Sequence, residues 1–308
     1  MKNNLKNIGL IGLGKMGQLI GTILLDKNYK ISVWNRTSTK TDKLSDKGAT
    51  VETGIENIIK GNELIIITLS NYKNIYEIFK EIDNFNKAHI VNLTSGSPTA
   101  ANELSKWITD KNGNYLDGAM LAIPETLGTD EANLIFSGNS QSFKENKSEL
   151  SLLGNTHYLG TSPDYAEMYD TALLSASYGA LAGFFNATLI AEIINVKPTD
   201  FIKLLVPWLT SIVQFMPHLA NEIEHKSYNN GDSNIDINQV AVEHLIHSNL
   251  LHNIPTNLHK PLNNYLQKQV EMGNEKKSFS IIYESLKKER KALIDSQSST
   301  NYLKEDLY

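Results

Sequence analysis

The sequence predicts an α/β domain built on a parallel sheet in its first half and an all-α second half, on three observations. Short apolar runs alternate with helix-like stretches as far as residue 162. A glycine-rich turn, Gly12-Leu-Gly14-Lys-Met-Gly17, joins the first run to the first helix. From Pro163 the chain reads as helices almost throughout, interrupted by the Asn-rich, turn-prone stretch from Tyr228 to Asn234. Strands alternating with helices place helices on both faces of a parallel sheet.

Taken in order, NIGLIGL (7–13) is a continuous apolar run of strand length, and MGQLIGTILLDKN (16–28) carries helical periodicity. KISVW (30–34), LIIITL (64–69) and HIVNLT (89–94) continue the strand series; TAANELSKWITDKN (99–112) is a helix and NYLDGAML (114–121) another strand. Asp170 is then the last charge before the twenty-one uncharged residues Thr171 to Ala191. That length matches the roughly 20 residues needed to span a bilayer. However, Thr171, Ser175, Ser177, Asn186 and Thr188 interrupt it, Glu192 follows it, and no Lys or Arg cluster flanks it. It therefore reads as a buried, packed helix rather than a membrane span. The tail after Lys287 reads as a solvated helix or frayed end.

At 308 residues the chain is long enough for two domains. Its 29 Lys and Arg against 34 Asp and Glu give net charge −5, and the lysines are scattered, which argues against nucleic acid as a partner. There is no cysteine, so disulfides, thiolate zinc sites and cysteine nucleophiles are excluded, and redox work would need a dissociable cofactor. The apolar patch near the N-terminus is broken by glycines and Lys15, unlike a secretory signal, and a cytoplasmic location is expected. His244, His247 and His252 are spaced by three and five with no adjacent acid pair, so no metal site is expected.

Gly12, Gly14 and Gly17 fit G-x-G-x-x-G between an apolar strand and an amphipathic helix. There the backbone can turn tightly and approach a pyrophosphate, whose charge meets the free amides of the helix N-terminus. Lys15 and Met16 lie within this loop. The second strand ends in Trp34-Asn35-Arg36-Thr37, with Lys40 shortly after. A site for NAD usually carries an acid here to accept from the ribose hydroxyls. Neutral Asn35 beside Arg36, Thr37 and Lys40 instead suits the 2′-phosphate of NADPH.

GLGKMG with VWNRTSTK, then NLTSGSP (92–98), YLDGAMLAIPETLG (115–128), FSG (136–138), YLG (158–160) and YDTALL (169–174) together resemble the NADPH-dependent imine reductases, with their reductive-aminase branch. These belong to the β-hydroxyacid dehydrogenase superfamily. The resemblance implies a Rossmann domain over residues 1–162, a long interdomain helix over 163–194, and an all-α dimerisation and substrate domain over 195–308 that is 6-phosphogluconate dehydrogenase-like. It implies a domain-swapped homodimer, with a small imine, or a ketone plus an amine, as substrate. It also places Leu69, Asn92 and Thr94 at the cofactor, Ser95 at cofactor or substrate, and Met120 and Ile123 along the substrate pocket.

Hydroxyacid dehydrogenases of that superfamily place a lysine near the start of the long helix and an asparagine four positions later. Here Asp170 and Leu174 stand instead, which reverses the sign of the site. Two unit charges about 4 Å apart interact by roughly 4 kcal/mol at an effective dielectric near 20, enough to favour an iminium over a hydroxyacid carboxylate. The resemblance implies that Asn92, Asp170, Tyr178, Trp208 and Gln239 surround the substrate, with Asn92, Asp170 and Tyr178 catalytic. Asp170 could donate a proton or only hold a protonated imine. Where the family carries an acid shortly after YLG, this chain has Ser162, with Asp164 two residues on, so Asp164 is a second candidate proton handler. A carbonyl dehydrogenase and a non-catalytic NADP-binding sensor are the competing expectations.

Overall fold

The computed structural model describes residues 6–229 and 233–299. By their internal contacts these form two units, divided between Ala176 and Ser177. In the first, β1 (Asn7–Ile11), α1 (Lys15–Asp26), β2 (Lys30–Trp34), α2 (Asp42–Ser45), β3 (Thr50–Val51), α3 (Ile55–Gly61) and β4 (Leu64–Ile67) are followed by α4 (Tyr72–Phe79), β5 (His89–Asn92), α5 (Pro98–Asp110) and β6 (Asn114–Leu121). β7 (Asn133–Gly138), α6 (Ser140–Leu150) and β8 (Asn155–Tyr158) complete its sheet.

The strands lie in the order β3-β2-β1-β4-β5-β6-β7-β8, and every neighbouring pair is parallel except β6 with β7. Alternation sends Ile8, Leu10, Leu64, Ile66 and Val91 into one buried cluster with Ile20 and Leu24 of α1. Ile11, Ile65, Ile67 and Ile90 enter the opposite one with Ile58 of α3, Ile75 and Phe79 of α4 and Leu104 of α5. Because both faces are covered, the strands read as unbroken apolar runs. α5 begins where the sequence signals it, with Ser97 accepting from Ala100 N and Pro98 in the first turn.

Three strands stop earlier than their apolar runs suggest. β1 ends at Ile11 because Gly12 turns away at φ +90°. β4 and β5 end at Ile67 and Asn92, where the hydroxyls of Thr68 and Thr94 begin to bond backbone groups.

α7 (Tyr165–Glu192) runs through the division between the units, so the contacts part the chain inside this helix rather than at its start. It is long and apolar enough to cross a membrane by length and composition. None of residues 171–190 is buried within the single chain, so the packing expected of this apolar helix is not supplied by its own chain. The second unit continues with α8 (Pro198–His225), α9 (Ile235–Leu251), α10 (Lys260–Glu271) and α11 (Ile282–Ser299). Its small core gathers Tyr228, Ile235, Leu266, Ile281 and Ile282. Beside that core the buried carboxylate of Glu222 accepts from the hydroxyls of Ser278 and Ser280, each at 2.6 Å. Residues 230–232 of the Asn-rich stretch lie outside the described residues.

Candidate active site

Strand order reverses at β1, which lies between β2 and β4, and open α/β sheets bind ligands at the carboxyl ends of strands at such a point. Ile11 pairs with both Trp34 and Ile67, so Gly12, Asn35 and Thr68 leave the sheet side by side. Thr68 Oγ1 donates to Gly12 O at 2.6 Å. A β-carbon on Gly12 would stand 2.3 Å from Thr68 O, and one on Gly17 would stand 2.0 Å from Gly12 O. Only glycine lets the turn lie against both β4 and its own helix. No side chain caps α1, whose N-cap is Gly14.

A cleft of about 650 Å³ opens here, lined by the loop from Gly12 to Gly17, by Asn35, Arg36, Thr37 and Lys40 beyond β2, by Thr68 and Leu69, and by Leu93, Ser95 and Met120. Glu77 of α4 is the one acid in its lining. Uncapped first-turn amides beside two cations and a threonine fit a dinucleotide bearing a 2′-phosphate. Arg36, Thr37 and Lys40 would hold that phosphate, and the amides of Lys15, Met16 and Gly17 the pyrophosphate.

Two predicted site residues are engaged within the chain itself. Asn35 lines the cleft, but its Oδ1 accepts from Leu13 N and its Nδ2 donates to Thr37 O, both at 2.9 Å. It therefore clamps the glycine loop to the β2 loop from within the cleft lining. Asn92, expected at the substrate, is fully buried: its Nδ2 reaches Tyr115 OH at 3.1 Å and Asp117 Oδ1 at 3.3 Å, and its Oδ1 accepts from Thr94 N. Thr94 is buried too, and its Oγ1 accepts from Leu69 N at 2.9 Å. Asn92, Thr94 and Leu69 thus shape the cleft wall in sequence, with half-buried Leu69 lining the cleft and the other two behind it.

Asp170 stands on α7, 7% exposed, and burial raises its carboxyl above the usual range. No ion pair or hydrogen bond engages that carboxylate among the described residues. One turn earlier, Glu167 is fully buried. Its Oε2 accepts from Gly96 N at 3.1 Å, and Tyr72 OH meets its Oε1 at 3.0 Å. The same Tyr72 hydroxyl donates to Asp117 Oδ1 at 2.7 Å, where Tyr115 OH also donates at 2.5 Å. Burial raises Glu167 and pushes Asp117 up to about 8. Sequence reading missed this network; an acid three residues before Asp170 on the same helix was the available signal.

Asp164 lies at the start of α7, where Ser162 Oγ donates to its Oδ1 at 2.5 Å and its carbonyl takes Met168 N. Ser137 secures the same helix start, accepting from Ala166 N and donating to Pro163 O, each at 2.9 Å. Ile123 is 60% exposed on the loop after β6 and is not part of the cleft lining. Tyr178, further along α7, is exposed; so is Leu174, at the asparagine's position. Trp208 lies exposed on α8, and Gln239 on α9 donates to Glu243 Oε1 at 3.1 Å.

Residues 7–160 match the NAD binding domain of 6-phosphogluconate dehydrogenase, and residues 162–288 match the C-terminal domain described as NADPH-dependent reductive aminase-like. An NADPH-dependent reductive aminase of Aspergillus oryzae is 32% identical over 287 residues, 92% of this chain and 97% of the relative. A reductive aminase from Aspergillus terreus, solved with NADPH and ethyl-5-oxohexanoate, superposes at TM-score 0.88 with 27% identity, covering 92% of this chain and all of the other. An imine reductase from Bacillus cereus gives TM-score 0.82 at 25% identity over 92% of this chain and 99% of its own. With a dinucleotide cleft in the first unit, an unpaired buried acid on α7 and this likeness along nearly the whole length, the chain belongs to the family of NADPH-dependent reductive aminases.

Proposed function

We propose that this NADPH-dependent oxidoreductase reduces C=N bonds by meeting an iminium with Asp170. The single observation that carries the reading is the charge of that position: a buried carboxylate with no cationic partner among the described residues, where a carbonyl-reducing relative would need a proton-donating cation. Bound NADPH supplies a hydride. The work of Asp170 is at the nitrogen. Its carboxyl, held neutral more readily by burial, gives its proton to the imine nitrogen, and the carboxylate left behind pairs with the iminium it has made. Donating and holding the proton are then successive states of one group.

A ketone plus an amine is proposed as an additional substrate pair, supported by the Aspergillus terreus reductive aminase solved with NADPH, cyclohexanone and allyl amine. Tyr178, Trp208, Gln239, Met120 and Ile123 are the proposed substrate walls. The proposed assembly is a homodimer with exchanged helical domains. Tyr178, Leu181, Phe185 and Leu189 recur at spacings of three and four along α7, all exposed in one chain, and a second copy would cover this stripe. A cytoplasmic location, where free NADPH is held reduced, belongs to the same proposal.

The test is NADPH oxidation with a small cyclic imine such as a pyrroline, beside NADP-dependent oxidation of a β-hydroxyacid. Imine-dependent turnover by the wild type is expected, with Asp170→Ala lowering kcat by roughly 100-fold or more while NADPH still binds. Equal turnover by wild type and Asp170→Ala would remove the role. Preferential oxidation of the hydroxyacid would favour a carbonyl dehydrogenase, and NADPH binding without either reaction a sensor.

A further inference from the structure

Glu167 has a geometry that its neighbour Asp170 lacks: both of its oxygens are engaged, and both partners belong to elements beside the cofactor cleft. Gly96 N donates to Oε2, and Tyr72, the first residue of α4, meets Oε1. Gly96 also rests on the Tyr72 ring so closely that a β-carbon there would stand 2.3 Å from Cε2. The segment is secured at its other end as well. Thr94 N donates to Asn92 Oδ1, Thr94 Oγ1 accepts from Leu69 N, and Leu93 N donates to Ile67 O. Ser95, between the two ties, lines the cleft.

We propose that Glu167 is a positioning residue: it fastens the cleft-lining segment Thr94–Gly96 to the turn of α7 that carries Asp170, so that cleft wall and acid keep one spacing. The inference rests on the imine-reducing role of Asp170 given above. Replacing the glutamate would take from the Gly96 amide its side-chain acceptor and leave Tyr72 OH tied to Asp117 alone, and the segment would be free to relax away from α7. A displacement near 1 Å at a reacting group can cost on the order of 100-fold in rate.

The proton count bears on what can replace it. Tyr72 has one hydroxyl proton and lies within hydrogen-bond reach of two carboxyls, so it donates to one and accepts from the other, which carries a proton. Asp117 Oδ1 already receives Tyr115 OH and the Asn92 amide, so it accepts from Tyr72 whether or not Oδ2 carries a proton, and Glu167 is the carboxyl that donates to Tyr72. A neutral Glu167 gives its proton to Tyr72 and takes the Gly96 amide on its other oxygen. Glutamine can do both with its NH₂ and its carbonyl.

The experiment compares wild type, Glu167→Gln and Glu167→Ala in two readouts: steady-state imine reduction with NADPH, and residue-resolved amide exchange of Gly96 in the cofactor-free protein. If the alanine variant does not fold, Glu167→Met, close in volume and without an acceptor, takes its place. Glu167→Ala is expected to lower kcat roughly 10- to 100-fold with KM for NADPH within about threefold, and Glu167→Gln to stay within about threefold of wild type in both. Gly96 exchange is expected to speed up at least about tenfold in the alanine variant and to stay protected in the glutamine variant. Wild-type kcat in Glu167→Ala despite a freed Gly96 amide overturns the proposal. So does a Glu167→Gln enzyme as slow as alanine with Gly96 protected, because the carboxyl itself would then be the working group. Should wild type show no imine turnover, the exchange arm decides alone: equal Gly96 exchange in all three proteins overturns the tie, and the expected pattern upholds it.

Discussion

The first unit encloses Ile8, Leu10, Ile65, Ile67 and Val91 completely between its helices, whereas the second leaves Tyr178, Phe185, Leu204 and Trp208 on the surface of α7 and α8. The contrast extends to polar groups. Around β5, β6 and α4 the Asn92, Tyr115, Asp117 and Tyr72 side chains hydrogen-bond one another, with Asp117 Oδ2 left without a partner among the described residues, and the glycine cleft is lined by that unit. Among its described residues the helical unit has a small core around Tyr228 and Leu266, beside the Glu222–Ser278–Ser280 group. A sheet covered on both faces finishes its own burial. A long helix with an apolar stripe on its open side does not, and large exposed apolar patches mark interaction sites.

The strongest way to break this comparison is to place a charge on the open stripe. Leu181→Glu with Phe185→Glu puts two carboxylates on the face of α7 that a second copy would cover. Each buried unpaired charge costs about 3–5 kcal/mol, so assembly is expected to weaken by at least about 1000-fold. Light scattering should show a dimer for the wild type and a monomer for the variant. NADPH affinity, set within the first unit, should change by less than about threefold. A variant that remains dimeric, or one that loses NADPH binding with assembly intact, would end the division of labour drawn here.

A smaller effect tests whether the cleft is as self-contained as it looks. Arg36→Ala removes one of the two cations lining the region beyond β2, where hydrogen bonds to a charged phosphate are worth about 1.5–3 kcal/mol. NADPH should bind roughly 10- to 100-fold more weakly while NADH binding changes by less than about threefold, as titration calorimetry would show. Equal losses for both cofactors would mean that Arg36 supports the loop and does not read the phosphate.

What the sequence revealed follows the same contrast. The turn from Gly12 to Gly17, the basic group at Arg36 and Lys40 and the strand runs are local signals, each carried by a few adjacent residues. Asn35 and Asn92 were harder, because an amide suits a ligand and a backbone clamp equally well. Only the register, with Asn92 level with Asp117, shows that its amide faces the network. Glu167 finds Tyr72 ninety-five residues away in sequence, a pairing that no local pattern records. The exposure of α7 was illegible for a different reason: an apolar helix reads the same whether its own chain or another one covers it.

The buried network of the first unit also sets the mildest prediction, in the pH dependence of stability. Asp117 is raised from 3.8 to about 8, chiefly by burial, which outweighs the hydrogen bonds from Tyr115 and Tyr72 that oppose it. Between those values the folded protein binds more protons at this position than the unfolded chain does. Its contribution to stability is therefore complete below the unfolded value and is lost as pH rises toward 8. Thermal melting of the wild type should accordingly fall between pH 5 and about 8. Asp117→Asn keeps an acceptor for Tyr115 and Tyr72 but cannot ionise, so its melting temperature should be flatter over that interval. The two curves should converge at the acidic end, where the aspartate is neutral, and separate progressively toward the alkaline end. A wild-type curve that rises with pH, or an asparagine variant that tracks it in parallel, would show that Asp117 is ionised throughout. The network would then be held by a compensating cation from outside this unit.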